Sequence, residues 1–156
     1  LHLSIRRQRQ MCIRDRRNAA MAERWYRQVN AKGHAIAQRE LAIELAYGQY
    51  FPHDLKRAFE LMSRSAQQGL LAAQDGLGTM YWNGEAVKED FDAAHKWYKS
   101  AADAGQAHGP FNLGEMYRHG IGVSEDKAMA ISWYRKSAAQ NYSEAVEALK
   151  KLGVKP

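Results

Sequence analysis

The chain has 156 residues, of which 46% are hydrophobic and 26% charged, with a formal net charge of +6 and a single cysteine. That length suffices for one core, the lone cysteine excludes a disulfide framework, and no apolar run approaches the roughly 18 residues that a membrane-spanning helix needs. The charge is concentrated at one end: residues 1–18 hold six arginines and one aspartate, a net of +5, which leaves +1 for the other 138 residues.

The leading segment, LHLSIRRQRQMCIRDRRN, contains the only cysteine, Cys12. Its arginines interrupt any apolar region, so it does not read as a signal peptide. Two readings compete. One is a basic arm for nucleic acid or an anionic membrane. The other, preferred, is a non-native or disordered basic leader, because the segment resembles a spurious leader that recurs in translated environmental sequence assemblies.

From residue 19 onward the chain follows a period of 36. LGTMYWNGEAVKED begins at Leu77 and LGEMYRHGIGVSED at Leu113. The same step carries Trp133-Tyr134 back to Trp97-Tyr98, Leu61-Met62 and Trp25-Tyr26 without insertion or deletion. Gly33, Gly69 and Gly105 lead to Asn141; Gly48, Gly84 and Gly120 form a second column, Ala58, Ala94 and Ala130 a third, Asp54, Asp90 and Asp126 a fourth. A fixed step of this size marks stacked copies of one supersecondary unit. The expected organisation is the second helix of a truncated upstream repeat at 19–33, repeats at 34–69, 70–105 and 106–141, and a C-terminal capping helix at 142–156, where Lys150 replaces the glycine of the earlier units. On this reading further repeats precede the chain.

Apolar residues recur at steps of three and four within each unit, as in amphipathic helices. Phe111, Leu113, Met116 and Tyr117 form one such face; Met129, Ala130, Trp133, Tyr134 and Ala138 form the next. Helices are expected over 20–32, 35–47, 55–68, 71–83, 91–104, 107–119, 127–140 and 142–152. Asp126 suits a helix N-cap, Gly120 and, after the second helices, Gly105 or Asn141 suit left-handed helix ends, and Gly114 with Ala130 suits a close helix crossing.

The pattern LGxMYxxGxGVxxD followed by AxxWYxKSAxxG or N resembles the Sel-one-like repeat, a relative of the tetratricopeptide repeat, over roughly residues 19–152. The match is weaker in the first unit, where LAIELAYGQYF stands and Leu45 fills the tyrosine column. The resemblance implies an all-α fold, a right-handed α-solenoid of antiparallel helix pairs. It further implies a bacterial protein-interaction scaffold that takes a protein or peptide partner, as a monomer or as part of a larger repeat protein, without cofactor.

The main rival is a β-lactam-binding or β-lactam-hydrolysing protein, because some cysteine-rich members of this repeat family have been described in those terms. Those members carry a cysteine pair in each repeat, and the repeats here contain none. No Gly-x-Ser-x-Gly elbow, His-Glu-x-x-His or phosphate-cradling glycine loop is present. Gly120-Ile121-Gly122 belongs to the repeat grid, and Glu89, Asp90 and Asp92 cluster at a helix start, where carboxylates favour the helix dipole. Of His34, His53, His95, His108 and His119, only the last two share a helix, eleven residues or about three turns apart, too far to chelate one metal directly. No catalytic, cofactor or metal residue is therefore expected. Trp25, Trp97 and Trp133 recur with the repeat and are expected in the core rather than stacking on nucleic-acid bases. The chain is expected to be soluble, in the cytoplasm or periplasm.

In proteins of this resemblance the first helices of successive units line the binding face, through side chains outside the repeat columns. Carried over by position, that face comprises Arg39, Ile43 and Ala46, then Asp75, Thr79, Trp82 and Asn83, then Phe111, Glu115, Arg118 and His119.

Overall fold

The computed structural model describes residues 20–155 apart from 22, 49 and 50, so the leader and Cys12 lie outside the described residues. The chain divides into two compact units, Leu1–Gln68 and Gly69–Pro156. In the first, helix α1 runs over 23–32, with 20 and 21 also helical, followed by α2 (Ala35–Tyr47) and α3 (Leu55–Gln67). In the second lie α4 (Leu71–Asn83), α5 (Phe91–Asp103), α6 (His108–His119), α7 (Lys127–Ala138) and α8 (Ser143–Lys151). No strand occurs among the described residues. The strongest packing is within the hairpins α2–α3, α4–α5 and α6–α7; α5 against α6 and α7 against α8 joins successive elements of the second unit.

The second helix of every hairpin starts in the same way. Asp54, Asp90 and Asp126 take non-helical backbone conformations, and their carboxylates accept the amide N–H of Arg57, Ala93 and Met129 at 3.0, 2.8 and 2.9 Å. Each cap satisfies one of the amides that a helix start leaves without an intrahelical partner. The capping residues' own N–H groups reach back to the carbonyls of Leu45, Tyr81 and Tyr117 at 2.9, 3.0 and 2.8 Å, which closes each loop identically. Gly84 and Gly120 end α4 and α6 in the left-handed region, at φ 68° and 64°. Gly48, in the same column, differs. It has φ −71° and ψ 166°, ordinary extended backbone, in the unit where the LGxMYxxGxGV pattern breaks down.

Ala58, Ala94 and Ala130, together with Leu61, Leu113 and Leu149, are fully buried. The close approach inside the hairpins differs in detail from a Gly114–Ala130 contact. A Cβ on Gly114 would lie 2.5 Å from Cε1 of Tyr134, and one on Gly78 would lie 2.7 Å from the Tyr98 ring. The glycine therefore makes room for the tyrosine ring one helix later. In the first unit Ala42 takes the glycine position and Met62 the tyrosine position, so an added methyl there coincides with a flexible side chain in place of a rigid ring.

Serine supplies a second tie. Ser65 and Ser137, both fully buried, donate to the carbonyls of Ala35 and Ala107 at 2.7 Å, pinning each second helix to the start of its first. Ala101 occupies that column in the middle repeat, where Ser100 instead donates to Gln74 Oε1 at 3.1 Å.

The tryptophan column is only partly core. Trp133 is buried against Ala94 and Tyr98 of the preceding repeat, with Lys136 Nζ 3.9 Å from its ring centroid. Trp97 is half-buried and Trp25 is 51% exposed, contrary to the expectation for both.

Candidate functional site

The first helices of the second unit, α4 and α6, carry eight of the predicted face residues, and α8 continues the series. Asp75 and Asn112 join α4 to α6: the Asn112 amide donates to Asp75 Oδ1 at 3.0 Å, and His108 Nδ1 lies 4.0 Å from Oδ2. Thr79 Oγ1 donates to the Asp75 carbonyl at 3.1 Å and sits 3.2 Å from the Tyr98 hydroxyl, whose pKa burial pushes up to about 12. One repeat on, Glu115 takes the place of Thr79 and accepts the Tyr134 hydroxyl. Burial, then this hydrogen bond, raise the Tyr134 pKa. Arg118 Nη1 and His119 Nε2 flank the same carboxylate at 4.0 and 3.5 Å.

Two adjoining clefts open along these helices. One, of about 270 Å³, lies between Thr79, Trp82, Asn83, Tyr98, Asn112 and Glu115. The other, of about 520 Å³, is lined by Phe111, Glu115 and Arg118 of α6 and by Glu144, Glu147 and Lys151 of α8, among others. Glu115 belongs to both and divides them. Phe111 forms part of the second floor, packed on Tyr134 and edge-on to Tyr142 at ring separations of 5.8 and 5.3 Å. The Ser143 hydroxyl, with backbone help, holds the Glu144 carboxyl below its ordinary range.

Trp82 is less free than its irregular place in the repeat suggests. It is half-buried, meets Phe91 edge-on at 5.4 Å, and packs against the core cluster of Ala94, Tyr98, Leu113 and Met116. Asn83 is exposed and donates to Glu85 Oε1 at 2.8 Å. His119 is exposed beside Glu115, while His108 stacks on Tyr142 at 4.5 Å. Among the described residues no group of three His, Cys, Asp or Glu side chains could hold a metal ion.

Arg39 and Ile43 belong to α2 in the first unit, and each is half-buried. Arg39 pairs with its neighbour Glu40, and its Nε is buried without a hydrogen bond. Ala46 is 6% exposed and joins the core, so it cannot contribute to an open face. The sequence reading also omitted Glu144, Glu147 and Lys151. The 36-residue step would have found Glu147 and Lys151, one repeat after Phe111 and Glu115, but not Glu144, which follows His108, a residue outside the predicted face. A further apolar cleft in the first unit, of about 620 Å³, is lined by Met21, Trp25, Val29, Leu41 and Phe51, among others.

The Sel1 repeat pattern matches residues 15–34, 35–70, 71–106 and 111–142. The chain belongs to the Sel1 repeat family. Among solved structures it is similar to c5321, a protective antigen of uropathogenic Escherichia coli with an SLR fold, at 35% identity and TM-score 0.78 over 86% of this chain and 30% of that one. It is also similar to a Sel1 repeat protein from Oxalobacter formigenes, at 29% identity and TM-score 0.72 over 81% of this chain and 54% of that one. Cysteine-rich protein B of Helicobacter pylori shares the fold, at 20% identity and TM-score 0.64 over 83% of this chain and 93% of that one. The Sel1 repeat chain thus spans only part of the length of its first two relatives. Its fold class is the all-α solenoid of this family. Sel1 repeat proteins are in general non-enzymatic scaffolds that bind protein partners. No helix of the described residues is long and apolar enough to cross a membrane.

Proposed function

We propose that this Sel1 repeat chain is an adaptor that docks a protein partner on the first-helix face of its second unit, through Asp75, Thr79, Trp82, Asn83, Phe111, Glu115, Arg118 and His119, with Asn112 and the groove side of α8 completing the surface. Arg39 and Ile43 hold the matching helix positions in the first unit and are proposed for the same role there. The observation that carries the reading is the pair of clefts divided by Glu115. They are lined largely by side chains that differ between repeats, while the residues that repeat pack the core. A shared scaffold with a variable lining is what a docking surface on a repeat protein requires.

Photo-cross-linking tests this. A photoreactive amino acid at Arg118 or Asn83 should give a discrete adduct with a protein of the source cell, and the same group at Lys99 on α5 should not. Adducts from Lys99 alone would place the contact on the other helices and refute the assignment. Arg118→Ala should weaken binding without loss of stability. Trp82→Ala is the poorer probe, because Trp82 also packs on the core.

A further inference from the structure

One packing column changes character in the middle repeat. The first and third repeats place Phe59 and Ile131 there, half-buried and apolar, and the second places His95, likewise half-buried. Ile131 packs against the core cluster of Ala130, Tyr134 and Leu149. His95 meets α6: its ring stands edge-on to Tyr117 at a separation of 5.9 Å, and Nε2 lies 3.4 Å from the Tyr117 hydroxyl. Tyr117 packs against both the Trp133 and the Tyr134 clusters, and its carbonyl accepts the amide N–H of Asp126. The contact therefore sits on the α5–α6 joint, where the second repeat adjoins the third.

We infer that His95 makes this joint proton-sensitive: the neutral ring packs in the apolar column and accepts the Tyr117 hydroxyl, and the protonated ring loosens α5 from α6. A neutral imidazole can accept at Nε2, whereas an imidazolium only donates. The charged form must also shed water to stay half-buried between the helices. Burial, and then Lys99 one turn on, hold the His95 pKa below the ordinary 6.5, against the pull of Asp92 one turn before. Lys99 and Asp92 are exposed on α5 itself, so they act on the ring whether the joint is closed or open, and burial decides. From the helices packed on α5, α6 presents the uncharged Tyr117, while on α4 Asp75 accepts from Asn112 and Tyr81 packs on the Trp133 cluster. The stability that the neutral ring confers is complete above pH 6.5 and is lost as pH falls through the depressed value. Glu115, which lines both clefts, belongs to α6, so the groove stands on this joint.

The test is a titration of the full chain from about pH 8 to about pH 5, read in two ways. The His95 ring protons, assigned by their absence from the magnetic resonance spectrum of His95→Ile, should titrate below 6.5. Amide exchange of α6, corrected for the intrinsic effect of pH, should quicken on acidification by up to about tenfold for each unit of that depression. His95→Ile and His95→Phe, which install the residues of the third and first repeats, should abolish the quickening. A His95 midpoint at or above 6.5 would overturn the inference without any variant. So would α6 exchange that responds to acid equally in the parent and in both variants.

Discussion

Replacing Gly114 by alanine puts opposing effects into one methyl group. In the present geometry the new Cβ would lie 2.5, 2.6 and 3.1 Å from Cε1, Cδ1 and Cζ of Tyr134, whereas carbon atoms in contact prefer about 3.5 to 4.0 Å. The ring must move by about 1 Å, and it has little freedom to do so: Tyr134 is fully buried among Ala145, Ala148 and Leu149, and its hydroxyl is held by Glu115. Overpacking of this kind costs about 1 to 3 kcal/mol. The same substitution gains about 0.8 to 1.0 kcal/mol of helix propensity. The net expectation is a loss of about 1 kcal/mol, read as a lower urea midpoint by circular dichroism at 222 nm. The control is written in the chain itself, since Ala42 coexists with Met62 in the first unit. In a Tyr134→Met background, where a shorter and more flexible chain replaces the ring, Gly114→Ala should therefore cost nothing or become stabilising, giving a favourable coupling in the double-mutant cycle. A Gly114→Ala variant at least as stable as the parent, or one whose cost persists undiminished in the Tyr134→Met background, would refute the ring-clearance argument.

The loop after the first helix offers a second case. Ala86 sits in the left-handed region at φ 65°, where the next repeat has Gly122 at φ 66°. Ala86→Gly should raise stability by up to about 1 kcal/mol by removing the Cβ conflict; Gly122→Ala should lower it, because its Cβ would also lie 2.6 Å from Phe91 Cβ. Equal melting temperatures across the pair would count against both. Tyr98 supplies a pH dependence. Its folded pKa of about 12 exceeds the ordinary 10 because burial disfavours the phenolate, so its contribution to stability is complete below pH 10 and is lost as pH rises from 10 toward 12. Urea midpoints across that range should fall, and fall less steeply in Tyr98→Phe; equal slopes would show that other groups set the alkaline limit.

Much of the fold was legible because the repeat writes each structural rule several times. Asp54, Asp90 and Asp126 announced their helix starts through side-chain chemistry that acts within three residues, and Gly84 and Gly120 their helix ends through φ alone. Local signals of this kind need no knowledge of neighbours. Where the first unit drops the pattern, the local rule lapsed too, and Gly48 turned out extended. Burial is different, because it depends on what lies across the contact. Trp25 and Trp133 occupy one column with one identity, yet one is half exposed and the other is core, packed with Ala94, Tyr98, Leu113 and Met116. Ala46 and Trp82 were assigned to an open face by helix position, and packing moved one into the core and half-buried the other. The sequence by itself determined the helices, their caps and the repeat; only tertiary structure decided that Tyr134 requires Gly114, that Asp75 meets Asn112, and that Glu115 divides two clefts, because each joins residues from helices whose separation in space no local pattern encodes.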